Sequence, residues 1–175
     1  MEPGRLQVGV VGPGESATPE ICALAREVGR LLAERGALVL TGGLGGVMAA
    51  AAEGAAAAGG LSVGLLPGTD RGDGNAHSTV LLPTGLGEVR NAVLVRSADG
   101  LVAVGGSWGT LSEIALAHRY DVPVVCLEGW SVRAADGSPL PVQTADSPAC
   151  AVQWVLERVQ AGEAGHGPRQ GRMEW

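Results

Sequence analysis

The stretch Ala37-Leu38-Val39-Leu40-Thr41-Gly42-Gly43-Leu44-Gly45-Gly46-Val47-Met48-Ala49-Ala50 decides the fold. An apolar strand, Ala37–Thr41, runs into a loop holding four glycines. The alanine-rich segment Val47–Ala58 then continues as a helix closed by Gly59-Gly60. The same unit recurs on both sides. Upstream, Gln7–Val11 is a short apolar strand ending in Gly12-Pro13-Gly14. After it, Ile21, Leu24, Ala25, Val28, Leu31 and Leu32 share one helical face, with Thr18 as N-cap, Pro19 as first residue and Gly36 as stop. Downstream, Leu61–Leu66, Ser78–Leu82, Leu101–Val104 and Val122–Leu127 read as strands, and Leu86–Ser97 and Thr110–Arg119 as helices. Pro67–His77 reads as a loop, and a last helix opens at Ser147-Pro148 with Val152, Val155, Leu156 and Val159 on one face.

Repeated strand–helix units with wholly apolar strands call for a parallel sheet covered by helices on both faces. With right-handed crossovers this gives an α/β fold, a single Rossmann-like doubly wound sheet spanning residues 1–161. Residues 162–175 are polar and glycine-rich and are expected to fray as a tail. The 175 residues are 46% hydrophobic and 17% charged, which excludes a disordered chain. No apolar run reaches the roughly 20 residues of a membrane span, and the N-terminus lacks a leader pattern, so a cytoplasmic protein is expected. All 12 basic residues are arginines. Without a lysine there is no Schiff-base enzyme and no Walker A loop. A net charge of −6 with no basic cluster argues against nucleic acid as the main partner. Cys22, Cys126 and Cys150 lack metal-ligand spacing and are expected to be buried thiols in a reducing compartment. No metal and no cofactor are expected.

In such a sheet ligands bind beyond the carboxyl ends of the strands. Three loops there are rich in glycine. Gly12-Pro13-Gly14-Glu15-Ser16-Ala17 fits G-x-G-x-x-G/A, yet the second strand ends in Leu40-Thr41 with no acidic residue for a ribose, and Glu15 would stand in the phosphate cradle. It reads as a tight turn or as the wall of a mononucleotide pocket. Thr41–Met48 offers backbone N–H groups at a helix N-terminus, an anion-binding arrangement, or simply close packing of helix on strand. Gly105-Gly106-Ser107-Trp108-Gly109-Thr110-Leu111-Ser112-Glu113 leads into a further helix. There Thr110 and Glu113 have the spacing of a capping box. The other reading is a site carboxylate kept ionised in a first helical turn. Arg90 opens the preceding helix. It pairs with Glu88 or a neighbouring carboxylate, or serves as a fixed cation for a phosphate or for the site carboxylate. With no lysine present, any phosphate-binding cation is an arginine, which favours Arg90 and Arg71.

These residues resemble the Lonely Guy family and its bacterial relatives, once labelled lysine decarboxylases. The family's G-G-G-x-x-G-L-M-G is matched by Thr41–Ala49 apart from Thr41, Val47 and Ala49. Its P-G-G-x-G-T-x-x-E is matched by Gly105–Glu113, with Gly105 and Ser107 as the departures. The family's arginine–lysine pair is Arg90-Asn91 here. The resemblance implies a phosphoribohydrolase that splits a nucleoside 5′-monophosphate into free base and ribose 5-phosphate, with Arg90 and Glu113 as catalytic pair. It implies phosphate or nucleotide contacts from Gly42, Gly43, Gly46, Met48, Asn91, Gly106, Ser107, Gly109 and Thr110, and a homodimer. The phrase Pro83–Asn91 resembles a bacterial branch close to molybdenum cofactor carrier proteins. That branch implies a carrier holding a phosphorylated heterocycle without chemistry, and other relatives sense nucleotide-derived signals. A lysine decarboxylase is excluded. Met48, Trp108 and the Pro67–His77 loop are candidate walls for the base, His77 reads as a solvated loop histidine, and Trp130, Trp154 and Trp175 read as residues packed against the core or a partner subunit.

Overall fold

The computed structural model describes residues 4–165. Seven strands, β1 (Gln7–Val11), β2 (Leu38–Thr41), β3 (Ser62–Leu66), β4 (Val80–Pro83), β5 (Gly100–Val104), β6 (Val124–Leu127) and β7 (Gln143–Ala145), form one sheet. Every neighbouring pair is parallel, in the order β4-β3-β2-β1-β5-β6-β7. The chain steps outward from β1 to β4, then crosses back to lay β5 on the other side of β1. The strand order reverses there, so a crevice opens beyond the ends of β1 and β5.

Alternation along the strands builds two cores. Val8, Val10, Val39, Val102 and Val104 pack on one face with residues of α1 (Pro19–Glu34), α2 (Val47–Ala57) and α5 (Pro148–Gly165). Val11, Leu40, Leu101 and Ala103 pack on the other with residues of α3 (Arg90–Ser97) and α4 (Trp108–Arg119). The doubly wound α/β sheet expected from the sequence is the fold observed.

α1 begins where its sequence directs: Thr18 Oγ1 accepts the Ile21 N–H at 3.3 Å, and Pro19 is the first helical residue. α1 and α2 approach at Gly29 and Gly54. A Cβ on Gly29 would overlap the Ala51 carbonyl, and one on Gly54 the Arg26 carbonyl. Backbone therefore meets backbone, which accounts for the alanines of α2.

The structure departs from the sequence expectations at several points. Leu86–Ser97 is not one helix: a 3₁₀ turn, Gly87–Val89, precedes α3, because Gly85 and Gly87 hold positive φ. α4 starts at Trp108 rather than Thr110, because Ser107 supplies the cap. β7 carries no apolar run, since its residues are half-buried or exposed, and it is absent from the sequence reading. Of the cysteines, Cys126 is buried, Cys22 is half-buried, and Cys150 is exposed at the start of α5, against expectation. α5 continues to Gly165, and residues 166–175 of the expected tail, with Trp175, lie outside the described residues. Among the described residues no helix is long and apolar enough to cross a membrane.

Candidate functional site

The glycine turn after β4 delivers Arg90 as the first residue of α3, and its side chain points inward: Arg90 is only 8% exposed. The guanidinium lies over the bare backbone of Gly42. A Cβ there would stand 2.5 Å from both Nη1 and Nη2, and 2.6 Å from Met48 Sδ. Gly42 is thus a glycine because Arg90 and Met48 occupy the space. Arg90 Nη1 faces Glu113 Oε1 at 3.8 Å, an ion pair too long for a hydrogen bond. Glu113 is 6% exposed. The buried Nε of Arg90 has no hydrogen-bond partner among the described residues. Two charged groups have been taken out of water with one long contact between them, an arrangement costly to keep for structure alone. Burial pushes the Glu113 pKa up to about 7, although Arg90 pulls it back down. The same burial lowers that of Arg90, opposed by Glu113.

The start of α4 decides what Glu113 is free to do. Ser107 is the N-cap: its Oγ accepts the Thr110 N–H at 3.2 Å and lies 2.9 Å from Thr110 Oγ1. The capping box between Thr110 and Glu113 is therefore not formed. Nor does Glu113 lie in the first turn, where the helix dipole would hold it ionised; it sits in the second turn, buried, with its pKa raised. Gly106 lacks a side chain because Trp130 lies on it: a Cβ would come within 2.6 Å of the indole Nε1. Trp130 is half-exposed at this loop, edge-on to the exposed Trp108 with ring centroids 5.1 Å apart. A Cβ on Gly109 would meet only Ser107 Oγ, at 3.8 Å, so that position has room. Asn91 points across to α4, where Nδ2 donates to Ser112 Oγ at 3.3 Å, rather than toward Glu113.

The loop after β2 is held from within. Gly43 and Gly46 have φ of 76° and 62°. A Cβ on Gly46 would overlap the Gly14 carbonyl, and the Val47 N–H donates to the Pro13 carbonyl at 3.0 Å. The Gly43 N–H donates to Thr41 Oγ1 at 3.1 Å. Two donors of this loop are thus satisfied by the protein, and its glycines admit the close approach of the loop after β1. Asn75, which the sequence reading passed over, ties the arrangement down: its Nδ2 donates to the carbonyls of Gly43 and Leu44 at 3.0 and 3.1 Å. An asparagine in a loop of glycines and charges carries no signal of this. Arg71 and His77 are exposed, and Arg71 makes no ion pair among the described residues. Trp154 packs against the larger core. Among the described residues no group of His, Cys, Asp or Glu is placed to hold a metal.

This geometry can be set beside known proteins. An uncharacterized protein of Archaeoglobus fulgidus is 45% identical over 133 residues, 73% of this chain and 87% of that protein. A cytokinin riboside 5′-monophosphate phosphoribohydrolase of Mycobacterium marinum is 32% identical over 140 residues, 74% of each chain. A molybdenum cofactor binding protein of the phototrophic bacterium Rippkaea orientalis superposes with a TM-score of 0.80 at 34% identity, covering 89% of this chain and 98% of that one. The model of the SLOG cluster4 family matches residues 5–152, which include every element from β1 to β7 and both members of the buried pair. The chain belongs to the SLOG cluster4 family, within a superfamily that is SLOG- or LOG-like.

Proposed function

We propose that the protein is a phosphoribohydrolase that cleaves the N-glycosidic bond of a nucleoside 5′-monophosphate. The observation that carries this reading is the Arg90–Glu113 pair: a carboxyl and a guanidinium, both nine-tenths buried, joined by a single 3.8 Å contact and not used for capping α4. The phosphate sits at the N-terminus of α4, where Gly106, Ser107, Gly109 and Thr110 gather and the positive end of the helix favours an anion. Gly42, Gly43, Gly46 and Met48 wall the nucleotide, and Asn91 lies at the rim. As the C1′–N bond breaks, its electron pair leaves with the base, which takes a proton from solvent, and the ribose develops oxocarbenium character. Ionised Glu113 stabilises that cation and accepts a proton from the water whose oxygen bonds to C1′. Arg90 favours the ionised form of Glu113 against the opposing effect of burial. The Mycobacterium relative supports this activity.

One observation favours a second reading. The likeness to the Rippkaea molybdenum cofactor binding protein, with Asn91 where the LOG family has a lysine, fits a carrier that holds a phosphorylated heterocycle without chemistry. The two readings separate in one experiment. Nucleoside 5′-monophosphates, including AMP and its N6-isopentenyl derivative, are incubated with the protein and free base is followed by chromatography. Base released by wild type and reduced by orders of magnitude in Glu113→Gln supports the hydrolase. No release from either protein, with phosphorylated ligands still retained, supports the carrier.

The same reading carries a homodimer. Val80 and Leu82 on the edge strand β4, with Leu86, Val89 and Val93 beside them in sequence, are exposed apolar residues on the flank that bears Arg90. A second copy of the chain covers them.

A further inference from the structure

Asn75 lies half-buried between β3 and β4 and makes no hydrogen bond to Arg90 or Glu113. Every polar atom of its side chain is nonetheless used. Nδ2 gives both its donors to the loop after β2, at the Gly43 and Leu44 carbonyls. Oδ1 accepts from the N–H groups of His77 and Ser78, each at 3.0 Å, and from Ser78 Oγ at 3.2 Å. The Asn75 N–H adds a second bond to the Gly43 carbonyl, at 2.9 Å. Only one amide orientation meets these partners, since a flip would set Oδ1 against two carbonyls. Gly43 is held from other sides as well. Its N–H donates to Thr41 Oγ1, and its Cα lies so close to β3 that a Cβ on Gly64 would come within 2.6 Å of it. The preceding residue, Gly42, is the bare backbone on which the Arg90 guanidinium rests. One peptide bond thus separates the residue that Asn75 clamps from the seat of the arginine.

We propose that Asn75 is a positioning residue for the buried pair, acting through Gly43 and Gly42 to fix where the Arg90 guanidinium lies against Glu113. Arg90 has little else to hold it. Its Nε has no hydrogen-bond partner among the described residues, and its contact with Glu113 is 3.8 Å long. A guanidinium so loosely tied takes its place from the surface beneath it. That surface is a loop of glycines, which impose almost no backbone conformation of their own. The Val47 N–H on the Pro13 carbonyl and the Gly43 N–H on Thr41 Oγ1 fix the two ends of the loop. Between those ends, no donor other than those of Asn75 reaches the Gly43 and Leu44 carbonyls among the described residues. Asn75 therefore supplies the constraint that the glycines lack. The consequence for turnover rests on the phosphoribohydrolase reading, whereas the placement of Arg90 does not.

Asn75→Ala and Asn75→Asp both remove the side-chain donors to Gly43 and Leu44. The aspartate keeps the acceptor that folds its own loop, and so serves if the alanine variant fails to fold. Ser78→Ala, which loses only the hydroxyl on Oδ1, is the control. Hydrogen exchange at the Arg90 Nε–H is followed by NMR in the full-length protein without ligand. Burial protects that group in wild type and in Ser78→Ala, and both Asn75 variants exchange about tenfold faster or more. The Glu113 carboxyl is titrated by carbon-13 NMR in Asn75→Ala, which adds no charge. Burial raises its pKa and only Arg90 opposes that, so withdrawal of the guanidinium moves the midpoint above about 7. For base release from AMP, kcat falls about tenfold or more in both Asn75 variants and is unchanged in Ser78→Ala. A lower melting temperature with exchange and titration as in wild type makes Asn75 structural only and overturns the proposal. An equal effect in Ser78→Ala, or loss of the fold in both Asn75 variants, overturns it as well. If wild type releases no base, the hydrolase reading fails, while exchange and titration still decide for or against Asn75.

Discussion

Glu113 shows how burial can bring the titration of a carboxyl close to neutral pH. Its pKa near 7, raised by burial against the pull of Arg90, has two consequences of opposite sign. For catalysis the ionised form is required, so kcat/KM for base release should rise with pH through about 7 and level off above it. For stability the folded state holds its proton where the unfolded chain has lost it. Wild type should therefore lose stability relative to Glu113→Gln as pH climbs from about 4.5 to about 7, with no further change outside that window. Thermal melts of both proteins across that range check the sign. Gly42→Ala tests the neighbour that makes room for Arg90. The new methyl displaces the guanidinium, and base release should fall about 10²-fold while the fold persists, the penalty for misplacing a catalytic group by about an ångström. The glycine was visible in the sequence as part of a glycine motif. Its reason was not, because nothing along the chain says that an arginine from α3 comes to rest on it.

At the scale of elements, the α1–α2 contact yields a test against intrinsic preference. Alanine is favoured over glycine within an exposed helix by about 1 kcal/mol. At Gly54 the added methyl meets the Arg26 carbonyl, so Gly54→Ala should instead destabilise by about 1–3 kcal/mol, read by urea unfolding. The strands and helices with apolar periodicity, β1, α1, β2, α2, β3 and β5, could be read almost to the residue. The errors fell where periodicity is silent. β7 is short and largely exposed, and the turn before α3 depends on positive φ at Gly85 and Gly87. The start of α4 depended on which of two hydroxyls, Ser107 or Thr110, took the cap. Spacing permits both, and the choice of Ser107 is what leaves Glu113 to Arg90.

For the whole molecule, the exposed apolar flank of β4 and α3 sets the expected assembly. Light scattering on a sizing column should give a dimer for wild type and a monomer for Val93→Arg, which places a charge in that flank. The α/β class followed from the alternation of strand and glycine loop. The order of the strands follows from the crossover after β4, which no local signal marks, and it determines which loops meet.

That order has a temporal side. The first strand to be synthesised lies in the middle of the sheet, paired with β2 on one edge and β5 on the other, where the Gln7 N–H donates to Asp99 Oδ2 across 92 residues of sequence. During translation one edge of β1 must wait for β5, roughly 5–20 s at ribosomal rates of about 5–20 residues per second. Half of the doubly wound sheet, β1 to β4 with α1 and α2, thus leaves the ribosome before its counterpart exists, with the apolar face of β1 and its open edge exposed to whatever else is nascent nearby.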